Sequence, residues 1–306
     1  MRNARLSSRA QRGICSIAML LSPFAAVPAQ QKVDIQRSST PTASVRLGGA
    51  ISSVKVIAWA SDSISLTGVL GSGSRMDGGP SGVTGPITGM KFFVDASDEA
   101  AMRGNKLELR VPRNARVWIK AGSADIDVQG VGGGLDLNIV GGSVRVQGKP
   151  RELIVESMDG SVTFTGFADY AKVKTATGDI VLEGGGEDLT LTTVSGSIQA
   201  APGERSLQRL RMESVTGPIT FAGDVTRGAD LRFDTHSGAI ELRLAPQASV
   251  EIDAATVLGT IENAWSRTRP VVGREGRGME LGISSGMGGA RVTVRSFKGS
   301  VKLATK

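Results

Sequence analysis

The sequence has little of the chemistry on which most enzymes depend. Its 306 residues include one cysteine, Cys15, and one histidine, His236, and aromatic residues make up only 4%. Cys15 lies in an N-terminal segment that we expect to be removed, which excludes disulfides and cysteine metal sites from the mature chain. His236 lacks the second histidine or cysteine that a metal site or a nucleophile–base pair would need. We interpret it as a turn residue and predict no catalytic residue, no metal site and no cofactor.

Beyond its N-terminus the sequence also lacks any apolar run of membrane length. Residues 1–29 combine a basic start, a mostly apolar run over 14–27 and small residues at a cleavage point, which together indicate a secretory signal peptide. The apolar run is shorter than the ~20 residues that cross a bilayer comfortably. We therefore expect secretion across the inner membrane to the periplasm or the cell surface, with no integral membrane span after cleavage.

The charge of the mature chain gives no sign of nucleic-acid binding. The formal charge of +7 falls to +3 (+7 − 4) when the four arginines of the signal peptide are removed. The remaining charges are interspersed in sign and form no basic block, which is typical of a solvated mixed-charge surface. We predict no nucleic-acid partner.

Composition divides the mature chain into three parts. Residues 30–43 are polar and aperiodic, and we interpret them as a flexible tether. Residues 44–116 contain alternating segments such as SVKVIAW and KLELRV, from which we expect an N-terminal capping β region. Residues 117–306 hold a series of repeats, interrupted by a glycine- and arginine-rich irregular loop over 264–290.

The repeats are marked by a turn residue that is followed by alternating apolar residues. The spacing is 18 residues for four intervals and 21 residues for the next three. We expect glycine at this corner because a tight reversal between strands commonly requires positive φ. The anchor positions are Ala124, Gly142, Gly160, Gly178, Gly196, Gly217, Gly238 and Gly259, and Gly299 marks a final copy.

Each repeat carries two apolar pairs, such as Leu153/Val155 and Val162/Phe164, with more polar residues between the members. This period-two alternation indicates two short strands, each with one buried face. One repeat cannot bury its own apolar face, so the copies must stack. We predict an all-β, single-stranded β-solenoid of about nine windings, in preference to an antiparallel meander folded as a sandwich. The predicted core column is Ile126, Val144, Val162, Ile180, Ile198, Ile219, Ile240 and Ile261.

The repeated phrase [ST]-G-x-[IV]-x-[LVF] resembles the DUF4097 or "toastrack" family of bacterial β-strand-repeat proteins, which are related to the head domain of auto-transporter adhesins. The segments GGAISSVKVIAW, LRVPRNARVWIKAGSADIDV and ARVTVRSFKGSVKL share this likeness, which covers roughly residues 44–303. The resemblance implies a β-repeat fold and an adhesin-like role. It implies no catalytic residues.

Three carboxylates are the best candidates for cleavage of an acidic polysaccharide. In the stacked register Glu213, Asp234 and Asp253 form one outward column, and neighbouring carboxylates can supply an acid–base pair. Arg211 and Arg232 fill the adjacent column, where they could neutralise these carboxylates as a surface charge ladder. We favour the ladder and keep the enzyme as the alternative.

The three tryptophans, Trp59, Trp118 and Trp265, are candidate platforms for sugar rings. Trp118 has the outward parity of its strand, as a platform requires. A capping aromatic under a loop is the interpretation that we prefer for all three, because aromatic side chains bury large apolar areas.

Together these patterns favour an exported, non-enzymatic cell-envelope module with an adhesin-like or scaffold role. Its partner would be a cell-envelope protein or a glycan, and no particular binding residue stands out. Exposed ends of the stack could also allow end-to-end self-association. The alternatives are a polysaccharide-active β-helix enzyme and an envelope-stress accessory domain that binds a membrane partner.

Overall fold

The computed structural model describes residues 30–80, 84–203, 206–273, 276–287 and 289–306. The predicted signal peptide, residues 1–29, lies outside the described residues. Within them the chain is nearly all β-structure, as predicted, with one short helix. No helix in this part of the chain is both long enough and apolar enough to span a membrane.

The N-terminal elements precede the regular repeats. They are β1 (Gln31–Gly49), β2 (Ser53–Trp59), β3 (Ser63–Leu70), β4 (Ser74–Gly78), β5 (Ile87–Ala96), α1 (Glu99–Arg103) and β6 (Lys106–Pro112). The repeats begin with β7 (Arg116–Gln129), β8 (Gly134–Gly148), β9 (Glu152–Ser157), β10 (Ser161–Lys174), β11 (Ile180–Thr193), β12 (Ile198–Ala200) and β13 (Leu207–Ser214). They continue with β14 (Ile219–Gly223), β15 (Asp230–Thr235), β16 (Ile240–Leu244), β17 (Val250–Thr256) and β18 (Ile261–Asn263). The chain ends with β19 (Val271–Val272), β20 (Met279–Ser285), β21 (Ala290–Ser296) and β22 (Val301–Thr305).

The windings stack in parallel and in register. Each winding contributes one strand segment to face A, which contains Ile119 and its equivalents, and one to face B, which contains Ile126 and its equivalents. Val144 pairs with Val162, and Val162 pairs with Ile180. Parallel pairing between successive windings is incompatible with an antiparallel meander. The prediction of a β-solenoid is therefore confirmed.

Columns of buried side chains fill the space between the faces; in the central column of each face every member is at most 4% exposed. Burial of such side chains, at about 1.5–3 kcal/mol each, is the main force that holds the stack together. The face A column is Phe92, Leu47, Ile119, Leu137, Val155, Val173, Leu191, Met212, Phe233, Val294 and Ala254. The face B column is Leu107, Val54, Ile126, Val144, Val162, Ile180, Ile198, Ile219, Ile240, Val301 and Ile261.

At the C-terminal end the order of the windings departs from the order of the sequence. Strands β21 and β22 form the last winding of the chain, yet β21 lies between β15 and β17, and β22 lies between β16 and β18. Ile240 and Ile261 therefore both pair with Val301 and are not neighbours. The predicted direct step from Ile240 to Ile261 is wrong, because the final winding is inserted between them.

The N-terminal end shows the same interleaving. The C-terminal half of β1 pairs with both β5 and β7, and β2 pairs with both β6 and the second half of β7. The first winding of the chain thus lies one layer inside the stack. At each end of the solenoid, the outermost winding and the winding beside it are distant in sequence. Closure of either end therefore depends on long-range contacts.

Residues 30–43, which composition assigns to a flexible tether, instead form most of β1. Residues 31–38 pair antiparallel with β3, and Val33, Ser39 and Ala43 are buried. The correction has a simple cause. Residues 31–38 form the outermost strand beside β3 and bury only scattered side chains, so their sequence stays polar although their backbone pairs with β3.

The expectation of an irregular loop over 264–290 also needs correction. Strand β20 pairs antiparallel with β17 along its whole length, and β19 adds to β20. Leu281 and Ile283 are buried by this pairing. The segment closes face A at the C-terminal end, as β4 does on β5 at the other end.

The glycines at the repeated corner allow the backbones of successive windings to touch. A Cβ atom on Gly217 would lie 1.8 Å from the carbonyl oxygen of Gly196, and one on Gly196 would lie 2.1 Å from that of Gly178. Among the described anchors only Gly142 has positive φ, at 99°. Close stacking, rather than the positive φ that we expected, is therefore the reason for most of these glycines.

A buried hydroxyl completes the corner three residues before the glycine. Thr235 Oγ1 accepts a hydrogen bond from the backbone N–H of Gly238 at 2.9 Å, and Ser157 Oγ accepts one from Gly160 at 2.8 Å. These bonds satisfy backbone donors that water cannot reach. The equivalent positions in other windings are Thr175, Thr193, Ser214, Thr256 and Ser296, all of them buried.

Candidate functional site

The predicted carboxylate column is only partly present on face A. Glu213 and Asp234 are neighbours in register, but the next position is occupied by Arg295. Asp253 pairs with Thr293, which in turn pairs with Arg232. The placement of Asp253 beside Asp234 is therefore wrong, and the cause is again the insertion of the final winding.

The charged side chains on this part of face A form ion pairs. Arg295 binds the carboxylate of Asp253 and also donates to the Asp253 backbone carbonyl oxygen. Arg211 Nε lies 3.6 Å from Glu213 Oε1. Such pairs lie in water, where each contributes little to stability. Their effect here is to neutralise the surface, as expected for a charge ladder.

The structure places Glu213 and Asp234 in an open groove of about 930 Å³ at the corner that follows face A. We call it the corner groove. His236 also lines it, and its ring stacks on Phe297 with centroids 5.0 Å apart and an interplanar angle of 20°. His236 lies at the corner, two residues before Gly238, and contacts an aromatic ring. Among the described residues no cluster of histidine, cysteine and acidic side chains could hold a metal ion.

The corner groove is the C-terminal end of a longer feature that the sequence did not reveal. One position at the corner is apolar in all but one of the windings from β8 to β17, the exception being His236, and its large apolar members are 40–57% exposed. Hydrogen bonds between the corner backbones hold these positions in line. We call this line the apolar stripe; it comprises Val140, Met158, Ala176, Val194, Val215, His236, Phe297 and Val257.

The stripe has a polar border on each side. On the face A side lie Glu213, Asp234 and their equivalents. On the other side lie the residues that precede the corner glycines; four of them carry a hydroxyl, as Ser195 and Thr216 do, and both of these are exposed. An apolar centre with a polar rim is the anatomy of a protein interface. Monomeric proteins seldom expose long continuous apolar patches that have no function.

The three tryptophans have different roles. Trp59 Nε1 donates to the Ser63 carbonyl oxygen at 2.8 Å, and Trp265 Nε1 donates to that of Ala245 at 2.9 Å. Both ring N–H groups are therefore bonded to backbone carbonyl oxygens. Trp118 lies on the outer side of face A, and the Arg46 guanidinium lies 4.9 Å from its ring centroid.

Two carboxyl groups outside the groove have a lowered pKa. The backbone N–H of Ala101 donates to Asp98 at the start of α1 and lowers the pKa of that carboxyl. The hydrogen bond from Arg243 lowers the pKa of Glu241, and the charge of Lys302 adds to the effect. Both groups are stabilised as anions, so neither suits the role of a proton donor.

Comparison with known proteins identifies a family. A family model described as Toastrack DUF4097 matches residues 76–303. No curated protein matches the chain. A crystal structure of a proposed cell adhesion protein from Clostridium sporogenes is similar over 90% of this chain and 100% of that chain, at 8% identity and a TM-score of 0.22. At that TM-score the likeness carries no argument.

Proposed function

Because the chain belongs to the Toastrack DUF4097 family, we propose that it is a non-enzymatic, adhesin-like interaction module of the cell envelope. The observation that carries this proposal is the apolar stripe. It runs along one corner of the stack, from Val140 in β8 to Val257 after β17, and its large side chains remain exposed.

The stripe is suited to a partner that is itself repetitive. Successive side chains along it are separated by the distance between neighbouring strands, about 4.8 Å. A protein partner that presents apolar side chains at the same spacing would contact every member of the stripe. Extended surfaces of this kind are what solenoid proteins use for binding. We therefore propose a β-rich envelope protein as the occupant.

Export to the envelope is part of this proposal. It is supported by the basic and apolar character of residues 1–29 and by the single cysteine, which lies within that segment. Cell fractionation is the test: we expect the chain in the periplasmic or surface fraction, shortened at its N-terminus. Recovery of the uncleaved chain in the cytoplasm would contradict it.

Site-specific crosslinking tests the interface. A photoreactive residue at Val194 should give a crosslinked complex in intact cells, whereas the same residue at Thr163, on the outer side of face B, should not. The double variant Val194→Asp, Val215→Asp should abolish the complex and leave the unfolding midpoint unchanged, because the two side chains are 51% and 44% exposed.

The partner identified by mass spectrometry should then bind the purified chain, and the double variant should bind it at least about tenfold more weakly, as expected when central apolar contacts are lost. Equal crosslinking from Val194 and Thr163, or a partner that binds the double variant normally, would refute the stripe as the interface.

A polysaccharide-active enzyme remains the second candidate, because Glu213 and Asp234 lie side by side at the edge of the corner groove. The ion pair between Glu213 and Arg211, and the displacement of Asp253, both weaken it. Incubation with acidic polysaccharides should give no new reducing ends. Product formation that is lost in Asp234→Asn would establish the enzyme instead.

A further inference from the structure

A second recess lies on face A near the N-terminal end, and none of the residues that line it belongs to the apolar stripe. It has a volume of about 700 Å³, and we call it the N-terminal recess. We propose that it binds one acidic sugar residue of an anionic glycan. The inference goes beyond the proposed protein interface and depends on different residues.

The recess exists because a glycine interrupts a column of outward side chains. In that column Gly48 lies between Phe93 and Lys120. A Cβ atom on Gly48 would lie 3.5 Å from Phe93 Cδ2 and 3.6 Å from the Lys120 carbonyl oxygen, which are ordinary contact distances. A side chain would therefore fit at this position, and its absence leaves room for a ligand.

Aromatic side chains form part of the recess wall. Phe93 is 46% exposed, which is unusual for a phenylalanine on a sheet face. Trp118 contributes a second ring from the neighbouring column. The C–H faces of a sugar ring are apolar and flat, so they pack on aromatic rings, whereas the sugar hydroxyls point to the rim.

Positive charge surrounds these rings. Arg46, Lys91 and Lys120 line the recess, and within the described residues none of them forms an ion pair. The acidic group in the recess, Asp136, accepts a hydrogen bond from Asn138 at 2.7 Å. The recess therefore carries an excess of positive charge, which favours an anionic ligand.

Arg46 is held in position before any ligand binds. Its guanidinium stacks over Trp118, an arrangement that holds the side chain while its N–H groups remain available to a carboxylate. Aromatic rings alone would suit a neutral sugar, and cations alone would suit a simple anion. Their combination in one recess points to a ring that carries an acidic group.

Calorimetric titration of the purified chain with an oligogalacturonate tests the proposal. A neutral galactan oligosaccharide of the same length and inorganic sulfate serve as the comparison probes. We expect the oligogalacturonate to bind about tenfold more tightly than the neutral oligosaccharide, and sulfate to compete weakly. Equal binding of acidic and neutral oligosaccharides, or no binding of the acidic one, would overturn the proposal.

Two matched pairs of variants locate the site. Gly48→Val fills the recess and should weaken binding about tenfold or more. Gly282→Val is its control, because a Cβ at Gly282 in β20 meets nothing within 4 Å. Lys120→Ala should weaken binding about threefold to tenfold. Lys174→Ala, in the same outward column three windings further along, should not.

The pair Lys120→Ala and Lys174→Ala still tests where the glycan binds if Gly48→Val fails to fold. Unchanged affinity in Lys120→Ala, or equal losses in Lys120→Ala and Lys174→Ala, would show that the glycan does not bind in the recess. The double variant on the apolar stripe should bind the oligogalacturonate normally, so failure of the glycan site and failure of the protein interface can be told apart.

Discussion

The windings before residue 148 and those after it turn the same corner with different residues. In the later windings a buried hydroxyl and a glycine close the corner, as Thr235 and Gly238 do at 2.9 Å. In the earlier ones the hydroxyl position is taken by Ala121 and Ile139, which pair in register with each other. Ala124 likewise stands where the later windings have glycine. The corner can therefore be closed by apolar packing or by a polar contact within the same backbone path.

Ion pairing on the surface also differs between the two regions. Five arginines of the later windings form ion pairs, as Arg209 does with Asp188 at 3.1 Å. On the outer side of face A in the earlier windings, the described residues leave Arg46, Lys91 and Lys120 without an ion pair. The same sheet geometry thus carries a neutralised surface in one region and an uncompensated one in the other. The difference suggests that the N-terminal recess is for a ligand and that the later ladder is structural.

The largest loss of stability should follow when a methyl group is placed at the corner of a later winding. A Cβ on Gly217 would overlap the Gly196 carbonyl oxygen at 1.8 Å. Since that neighbour is backbone and cannot rotate away, Gly217→Ala should lower the free energy of unfolding by about 3 kcal/mol in denaturant titrations.

The reverse change in the earlier region is the matched control. Ala124→Gly should cost only about 0.5–1 kcal/mol, the usual cost of glycine within a strand. If Gly217→Ala is no more damaging than Ala124→Gly, the two corners are equivalent and the comparison between the regions fails.

A smaller effect should follow from removal of the corner hydroxyl. Thr235→Val keeps the shape of the side chain but leaves the Gly238 N–H without its acceptor. Its cost should be about 1–3 kcal/mol, the penalty for a buried donor that loses its partner. The measurement is again the free energy of unfolding.

Ser214 is the control for this prediction, because its buried Oγ has no hydrogen-bond partner among the described residues. Ser214→Ala should therefore change stability by less than about 0.5 kcal/mol. Equal costs at Ser214 and Thr235 would mean that the hydroxyls act only by filling space.

The sequence predicted the interior well because the core follows a simple periodicity. Val144, Val162 and Ile180 are each two residues past an anchor, and buried strand positions must repeat at period two. The corner hydroxyl could also have been found, because Ser157 and Thr235 both stand three residues before an anchor glycine.

The order of the windings at the ends could not be read in this way. Counting repeats places Asp253 one winding after Asp234, whereas pairing partners are chosen by tertiary contacts that the repeat length does not encode. The N-terminal recess was hidden for the same reason. Gly48, Phe93 and Trp118 are separated in sequence, and only the insertion of β1 between β5 and β7 brings them together.

The smallest change in stability should follow from replacing the two carboxyl groups with a lowered pKa, Asp98 in the earlier region and Glu241 in the later one. Their contribution to stability is present above the unfolded values, about 3.9 for Asp and 4.3 for Glu, and is lost as the pH falls through the folded pKa. Asp98→Ala and Glu241→Gln should therefore lower the unfolding midpoint slightly at pH 7 and match the wild type at pH 2.

Molar salt should remove the Glu241 effect, which depends on Arg243 and Lys302, and should spare that of Asp98, which depends on a backbone N–H. Equal loss of both effects in salt would show that the two carboxylates are stabilised in the same way.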